Sequence, residues 1–562
     1  CADVKFYNRK ELKNKLDINN NPEDAALLLH AFRKWGVRCV DYLIGDFAFA
    51  IWNAQKQELF CARDQIGIRP FYYCQPEKGF AFASEMNTLK AIYKDALTFN
   101  KEYYLDTLVS MISDKSYTAF KEIFRLPPAH YLIYRKGNIQ IQKYWQLDPE
   151  QKIRYHSDDD YISHFFETLK NAVETRCEGV SNIGSELSGG LDSAAVTCIA
   201  SKYADDNEIT FTAFSNTLPE NHNTVMKDER EYMLNVLEWK KMNWCNVNEL
   251  KDSIPKLINH TLNLQGCFTQ QRFNMFNKGI YEAAAQAGAR ILLSGFGGDE
   301  MVSARTGNAW NDLINEREWR HFYEALRYQT FLPKAVLKSL KILLKYQLKK
   351  NRQPGITSGK FIPRMLKRRF GNLPLQPQFA KENQLKERYF RKHERNAELY
   401  LAYRQLQKIS HQHVPQRIEY SYAAAAYYGI QYRYPLLDIR LLQTCLSFPS
   451  WMKNRPGTDR YLFREALKGV IPEAIRLRAD KTGAVIPHIY LRLKKDRELI
   501  MNFIQECSKD EYFNQIFDFS RFESWIDALL QRNPDEMNYL MPGAFYNYLM
   551  ILSWFTRQKT SK

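Results

Sequence analysis

Glu186-Leu187-Ser188-Gly189-Gly190-Leu191-Asp192-Ser193 is where an apolar, strand-like approach empties into a loop of small residues. A helix is expected to follow, starting at Ala194-Ala195-Val196. Adjacent glycines let backbone N–H groups close on an anion, Ser188 and Ser193 add hydroxyl donors, and the positive end of the helix faces the same point. Leu187, Ser188, Gly189, Gly190, Leu191, Asp192 and Ser193 are therefore read as a phosphate cradle. Asp192 goes further, because a carboxylate beside phosphates usually holds Mg²⁺. A Walker loop would need Gly-x-x-x-x-Gly-Lys-Ser/Thr, which is not present here. The bland alternative is a serine-rich turn ahead of a helix.

Ala289-Arg290-Ile291-Leu292-Leu293-Ser294-Gly295-Phe296-Gly297-Gly298-Asp299-Glu300 repeats the pattern, a buried strand running into glycines and ending in two carboxylates. Asp299 can supply the second Mg²⁺ ligand. Between the two loops, helical stretches alternate with apolar strands such as Ile209-Thr210-Phe211-Thr212-Ala213-Phe214-Ser215. That alternation predicts a doubly wound parallel sheet, whose ligands sit at the carboxyl ends of its strands.

With 562 residues the chain is too long for one core. Its composition is globular, with 45% hydrophobic and 25% charged residues, and no apolar run is long enough to cross a bilayer. No signal peptide is evident. Ten cysteines lie scattered without a Cys-x-x-Cys pair, which fits reduced thiols in a cytoplasm and indicates neither zinc nor disulfides. Much of the net charge of +17 lies between Pro333 and Arg395, where Leu337 to Lys345 reads as an amphipathic helix with lysines between leucines. A solvated face explains such a run, and so does an anionic peptide, protein or membrane partner. No recognised nucleic-acid motif accompanies it, so nucleic acid is not expected.

The first 150 residues read differently. Val40 to Trp52 and Glu58 to Asp64 are strands separated by a turn at Asn53, and Ile66–Tyr73, Gly79–Glu85 and His130–Tyr134 extend an antiparallel set. A boundary falls near residue 150, giving domains 1–150 and 151–562 with a basic helical insertion at about 315–400.

The motifs now stand in order along nearly the whole chain: Leu43 to Ala50, Ala62-Arg63-Asp64 with Gly67 and Pro70, Ala83-Ser84-Glu85, Ser188 to Ser193, Ser294 to Glu300, and Tyr434-Pro435-Leu436-Leu437-Asp438. The chain resembles the asparagine synthetase superfamily. The resemblance implies an α/β protein, with an N-terminal Ntn-like antiparallel β-sandwich of the glutamine amidotransferase type and a C-terminal ATP pyrophosphatase domain. It implies ATP and Mg²⁺ as cofactors, with Ser215 and Gly295 as further ATP contacts. In glutamine-using members the chain begins Cys-Gly. Here Cys1 precedes Ala2 to Arg9, which resembles a segment well downstream of that nucleophile, so a trimmed or processed chain is expected. The Asn-Gly that would stabilise an oxyanion there is replaced by Asp3-Val4, which opposes the developing charge. Asp24 matches the carboxylate that grips glutamine's amino group. An inactive amidase half follows as the expectation.

Within the synthetase half, Arg476 to Gly483 resembles the family's lysine loop, which gives Lys481 the role of bridging α-phosphate and substrate carbonyl in the transition state. Glu419 sits on an otherwise small, apolar helix, where burial should raise its pKa and suit it to act as general base; a salt bridge with Arg417 is the structural alternative. Phe296 stands where β-lactam and carbapenam synthetases carry a tyrosine and asparagine synthetases a glutamate, which counts against free aspartate as acceptor. His411-Gln412-His413 lacks carboxylates at ligand spacing and is read as surface.

These features imply an ATP-dependent amide ligase that adenylates a carboxylate and closes an intramolecular amide, as lasso-peptide cyclases do. Its partners would be a peptide substrate and a leader peptidase or precursor-binding protein. A glutamine-hydrolysing asparagine synthetase and a non-catalytic ATP-binding scaffold are the alternatives.

Overall fold

A computed structural model describes the chain except residues 78, 94–95, 111–113, 221–227, 249, 270–273, 304–309, 330–369, 394–400, 480–484, 532–539 and 561–562. The N-terminal half carries β1 (Ala2–Phe6), β2 (Gly45–Asn53), β3 (Glu58–Arg63), β4 (Tyr72–Cys74), β5 (Ala81–Ala83), β6 (Ile123–Arg125), β7 (His130–Arg135) and β8 (Asn138–Lys143). They form two antiparallel sheets, ordered β1-β2-β3-β7-β8 and β5-β4-β6. Alternation along β2 explains the layering. Phe47 and Phe49 pack with Leu27, Leu28 and Ala31 of helix Asp24–Trp35, while Ala48 and Ala50 face Phe71, Tyr73 and Leu126 of the smaller sheet. The turn between β2 and β3 is closed by Asn53, whose side chain accepts from the backbone N–H groups of Gln55 and Lys56, both at 3.1 Å.

The strand expected over Ile66–Tyr73 is shorter than its sequence suggests. Residues 66–69 wrap the buried Asp64 carboxylate, which accepts from the N–H groups of Ile66, Gly67, Ile68 and Arg69 at 2.6–3.1 Å. With those donors satisfied by one side chain, the ladder starts only at Tyr72.

The C-terminal half is built on β9 (Asn182–Glu186), β10 (Thr210–Asn216), β11 (Asn243–Val247), β12 (Ile291–Leu293) and β13 (Gln431–Arg433), all parallel and ordered β11-β10-β9-β12-β13. The chain runs outward from β9 to β11, then returns to build β12 and β13 on the other side. Right-handed crossovers therefore put helix Leu191–Asp206 and helix Lys278–Gln286 on opposite faces. The order reverses between β9 and β12, so the loops after those strands flank one crevice.

The two halves share a core. Phe99 stacks on Trp554 at 5.3 Å, and Tyr548 donates to the carbonyl of Leu108 at 2.7 Å. Of the basic insertion, Lys334 to Arg369 lies outside the described residues. Arg388, within helix Leu385–His393, bonds Asp106 at 2.8 Å and Glu102 at 2.6 Å, so this cation ties the insertion to the N-terminal half. Among the described residues no helix is long and apolar enough to cross a membrane.

Candidate active site

The loop after β9 turns at Gly189, whose φ of +73° and whose approach to the carbonyl oxygen of Glu229, 2.9 Å from where a Cβ would stand, both require glycine. The following helix starts at Leu191, three residues earlier than its sequence suggests, which brings Asp192 into the first turn. The serine hydroxyls work differently from expectation. Ser188 and Ser193 hydrogen-bond each other at 2.9 Å, and Ser193 also accepts from the Ser188 N–H and donates to the Gly190 carbonyl. They hold the loop's shape, so the donors that an anion could meet here are the backbone N–H groups and the helix terminus.

The loop after β12 interlocks with this one. A Cβ on Gly295 would stand 2.8 Å from the backbone nitrogen of Ser193, and one on Gly298 would stand 2.3 Å from Cγ of Asp192. Asp192 also accepts from the Ser303 hydroxyl, while Asp299 pairs with Arg460 at 2.5 Å. Both aspartates line one cavity of about 670 Å³ with Ser188, Gly190, Leu191, Ser193 and Gly295. Glu300 turns away from that pair: its side chain accepts from the Gly297 N–H at 3.1 Å and meets His413 at 3.4 Å. Burial, the largest single influence, opposes its ionisation, but His413, Arg417 and Lys408 together outweigh it and hold the carboxyl below the usual range. His411 is exposed, as expected, whereas His413 is half-buried and has a carboxylate partner, which corrects the surface reading for that histidine.

Ser215 does not line the cavity. It is buried, donates to the Leu187 carbonyl at 2.7 Å and accepts from the Trp244 indole at 3.0 Å, so its hydroxyl braces the phosphate loop. Its neighbours Phe214 and Asn216 line the cavity in its place.

Glu419 is the largest departure from the sequence reading. It lies away from the cavity, on helix His413–Tyr427, with its carboxylate between Arg63 at 3.0 Å, Arg125 at 2.9 Å and the Tyr72 hydroxyl at 3.2 Å. Burial would raise its pKa, but the two guanidinium groups outweigh burial and hold it below the usual carboxylate range. The expected raised pKa and base role are both corrected: the apolar helix meets arginines from the other half of the chain. The salt bridge is with Arg63 and Arg125, not with Arg417.

Lys481 lies outside the described residues. The loop leading to it is held against the phosphate loop by Arg478, which pairs with the buried Glu229 at 2.7 Å, stacks over Tyr232 at 3.8 Å and donates to the Gly189 carbonyl at 3.3 Å. Arg464 fastens the same loop by donating to the carbonyls of Arg476 and Arg478. The signal for Arg478 in the sequence is its place in the lysine loop, just ahead of Lys481. Arg417 and Glu186 also line the cavity and were missed as site residues.

Residues 164–556 match the family model described as asparagine synthase. The chain belongs to the asparagine synthase family. Residues 3–145 match the glutamine amidotransferase domain model, so this asparagine synthase family member carries both halves. It is 32% identical over 203 residues to asparagine synthetase [glutamine-hydrolyzing] 3 of Bacillus subtilis, covering 35% of this chain and 32% of that protein. To asparagine synthetase [glutamine-hydrolyzing] 1 of the same organism it is 23% identical over 91% of this chain and 79% of the relative. A protein named amidase chyE from Penicillium rubens is 29% identical over 34% of this chain and 26% of its own length. The first of these matches thus spans about a third of the relative concerned.

Proposed function

We propose that this protein adenylates a carboxylate with ATP, releasing pyrophosphate, and closes an intramolecular amide on a peptide, as a lasso-peptide macrolactam cyclase does. The observation that carries the reading is Phe296. Its ring lines the cavity beside Arg417 and Tyr434, so the loop after β12 places an apolar ring where a carboxylate would serve a small amino-acid acceptor. A cavity of about 670 Å³ leaves room for more than a nucleotide. A peptide substrate, with a leader peptidase or precursor-binding protein to deliver it, completes this reading.

The residues present fit ATP and Mg²⁺. An ion bound to phosphates needs only one or two carboxylates from the protein, and Asp192 and Asp299 line the same cavity. Asp192 and Asp299 would hold it, and it would neutralise charge on the triphosphate. The loop from Leu187 to Ser193 binds and orients the phosphates through backbone N–H groups. Lys481 would stabilise charge on the α-phosphate and the carbonyl during transfer, where a fixed cation contributes several kcal/mol.

The names of the relatives favour a second reading, glutamine-hydrolysing asparagine synthesis. Against it stands Asp3. Its carboxylate accepts from the Tyr422 hydroxyl at 2.8 Å and lies 3.4 Å from Arg69, so it is engaged between the halves at a position where an oxyanion would need donors. The deciding assay supplies ATP with either aspartate plus ammonia or a linear core peptide, and follows AMP release and loss of one water from the peptide. Steady asparagine formation without peptide dehydration overturns the cyclase reading.

A further inference from the structure

Two charged side chains of the cavity take no part in the phosphate loop or the carboxylates beside it. Arg417 projects from helix His413–Tyr427 with its guanidinium 4.1 Å from the centre of the Phe296 ring, and Tyr434 meets that ring edge-on at 6.0 Å. Its buried Nε has no hydrogen-bond partner among the described residues. Stacking on a ring fixes the plane of a guanidinium while leaving its N–H edge to an anion, and a planar fork matches a carboxylate.

Glu186 ends β9 one residue before the phosphate loop begins. Its carboxylate accepts from the Asn277 amide at 3.3 Å and from the Ser294 hydroxyl at 3.0 Å. Both donors are neutral and orient the group, and the neighbouring Arg417 charge favours its ionised form against burial. The cavity thus carries a guanidinium fork and an oriented carboxylate beside the site where phosphates would lie.

Resting on the amide-ligase reading, we infer that Arg417 receives the acceptor's carboxylate and that Glu186 receives the amine that will displace AMP from it. In the first step a carboxylate oxygen bonds to the α-phosphorus of ATP as the bond to pyrophosphate breaks. In the second, the amine nitrogen bonds to the acyl carbon, its proton passes to the Glu186 carboxylate, and AMP leaves with the electron pair of the carbon–oxygen bond. Burial is the largest influence on the Glu186 carboxyl and holds it above its ordinary range against Arg417 and the neighbouring hydroxyls, so it accepts a proton more readily than a free carboxylate does. Glu419 is locked between two arginines away from the cavity, whereas Glu186 is a carboxylate of the cavity wall next to the phosphate loop. The opposite charges also suit a substrate that presents an amine and a carboxylate from one chain.

The test uses the full chain with Mg-ATP and a pool of synthetic linear peptides, each with a free amino terminus and one Asp or Glu. ATP–pyrophosphate exchange reads adenylation, mass loss of one water reads closure, and calorimetry with a non-hydrolysable Mg-ATP analogue reads nucleotide affinity. Arg417→Gln should lower peptide-stimulated exchange roughly tenfold or more, with Arg417→Lys recovering part of it, while analogue affinity changes by less than about twofold. Glu186→Gln should leave exchange in place and lower closure by roughly tenfold or more. Hydroxylamine, an amine already unprotonated at neutral pH, should still yield hydroxamate with that variant. Melting curves on the Gln and Lys variants check that each is folded. Equal exchange in Arg417→Gln and the parent overturns the carboxylate role, and a Glu186→Gln variant that loses analogue affinity instead places Glu186 on the nucleoside. In both cases the ligase reading stands; absence of peptide-stimulated exchange in the parent itself overturns that reading and this inference together.

Discussion

Gly298 and Asp192 come so close that a Cβ on the glycine would stand 2.3 Å from the carboxylate carbon. Gly298→Ala must therefore displace Asp192 from the phosphate loop. ATP turnover should fall by about a hundredfold, as for misplacements near 1 Å, with only a modest change in melting temperature. Pyrophosphate release measured beside a thermal melt checks this, and unchanged turnover would show that Asp192 has freedom to move.

The two aspartates should also be tested directly. Asp192→Asn and Asp299→Asn are each expected to lower pyrophosphate production by roughly a hundredfold or more while leaving the fold intact. Near-normal production in either variant would remove that residue from the metal set.

Lys481→Ala should reduce kcat by roughly a hundredfold with little change in nucleotide affinity, because the role proposed for its cation is in the transition state. Arg478→Met works through position: it breaks the contacts to Glu229 and Gly189 and should lower kcat, while Arg478→Lys, which keeps the positive charge, should recover part of the loss. A Lys481→Ala variant that lost nucleotide binding and kept its kcat would put Lys481 on the ground-state triphosphate.

Glu419 carries a pH signature. Its pKa is lowered in the folded chain, so the stability it contributes is full above the unfolded carboxylate pKa and is lost as pH falls through the lower, folded value. Removing one partner, as in Glu419→Gln, leaves two buried guanidinium groups uncompensated and should cost about 3–5 kcal/mol at neutral pH. Melting temperatures measured from neutral to acidic pH should converge for parent and variant; a constant gap would assign the loss to packing.

Ser215→Ala should weaken the brace under Leu187 by about 1 kcal/mol and leave the Michaelis constant for ATP nearly unchanged. A large rise in that constant would return Ser215 to the nucleotide site.

The parallel sheet was legible because its cues are local. Apolar runs ending in glycine-rich loops identify β9 and β12, and both loops do meet at one crevice. The glycines at 189, 295 and 298 were legible as loop-formers, but the reason for them is the approach of a partner distant in sequence. Glu419 was misread for the same reason. Its helix neighbours are apolar, yet its partners Arg63 and Arg125 lie 356 and 294 residues away. Local composition reports burial and says nothing of who shares it. Arg417 escaped for the complementary reason, since its surroundings come from Phe296 and Tyr434, each on a different element.

Helix His413–Tyr427 presents Arg417 to the cavity, Glu419 to Arg63 and Arg125, and Tyr422 to Asp3. Excision of the first 150 residues would therefore expose an acidic and aromatic scar along the same helix that frames the acceptor end. A chimera that borrows its amino-terminal half from a relative must bring matching arginines with it. The amidase-like half is in this sense a splint, and the ligase inherits its alignment.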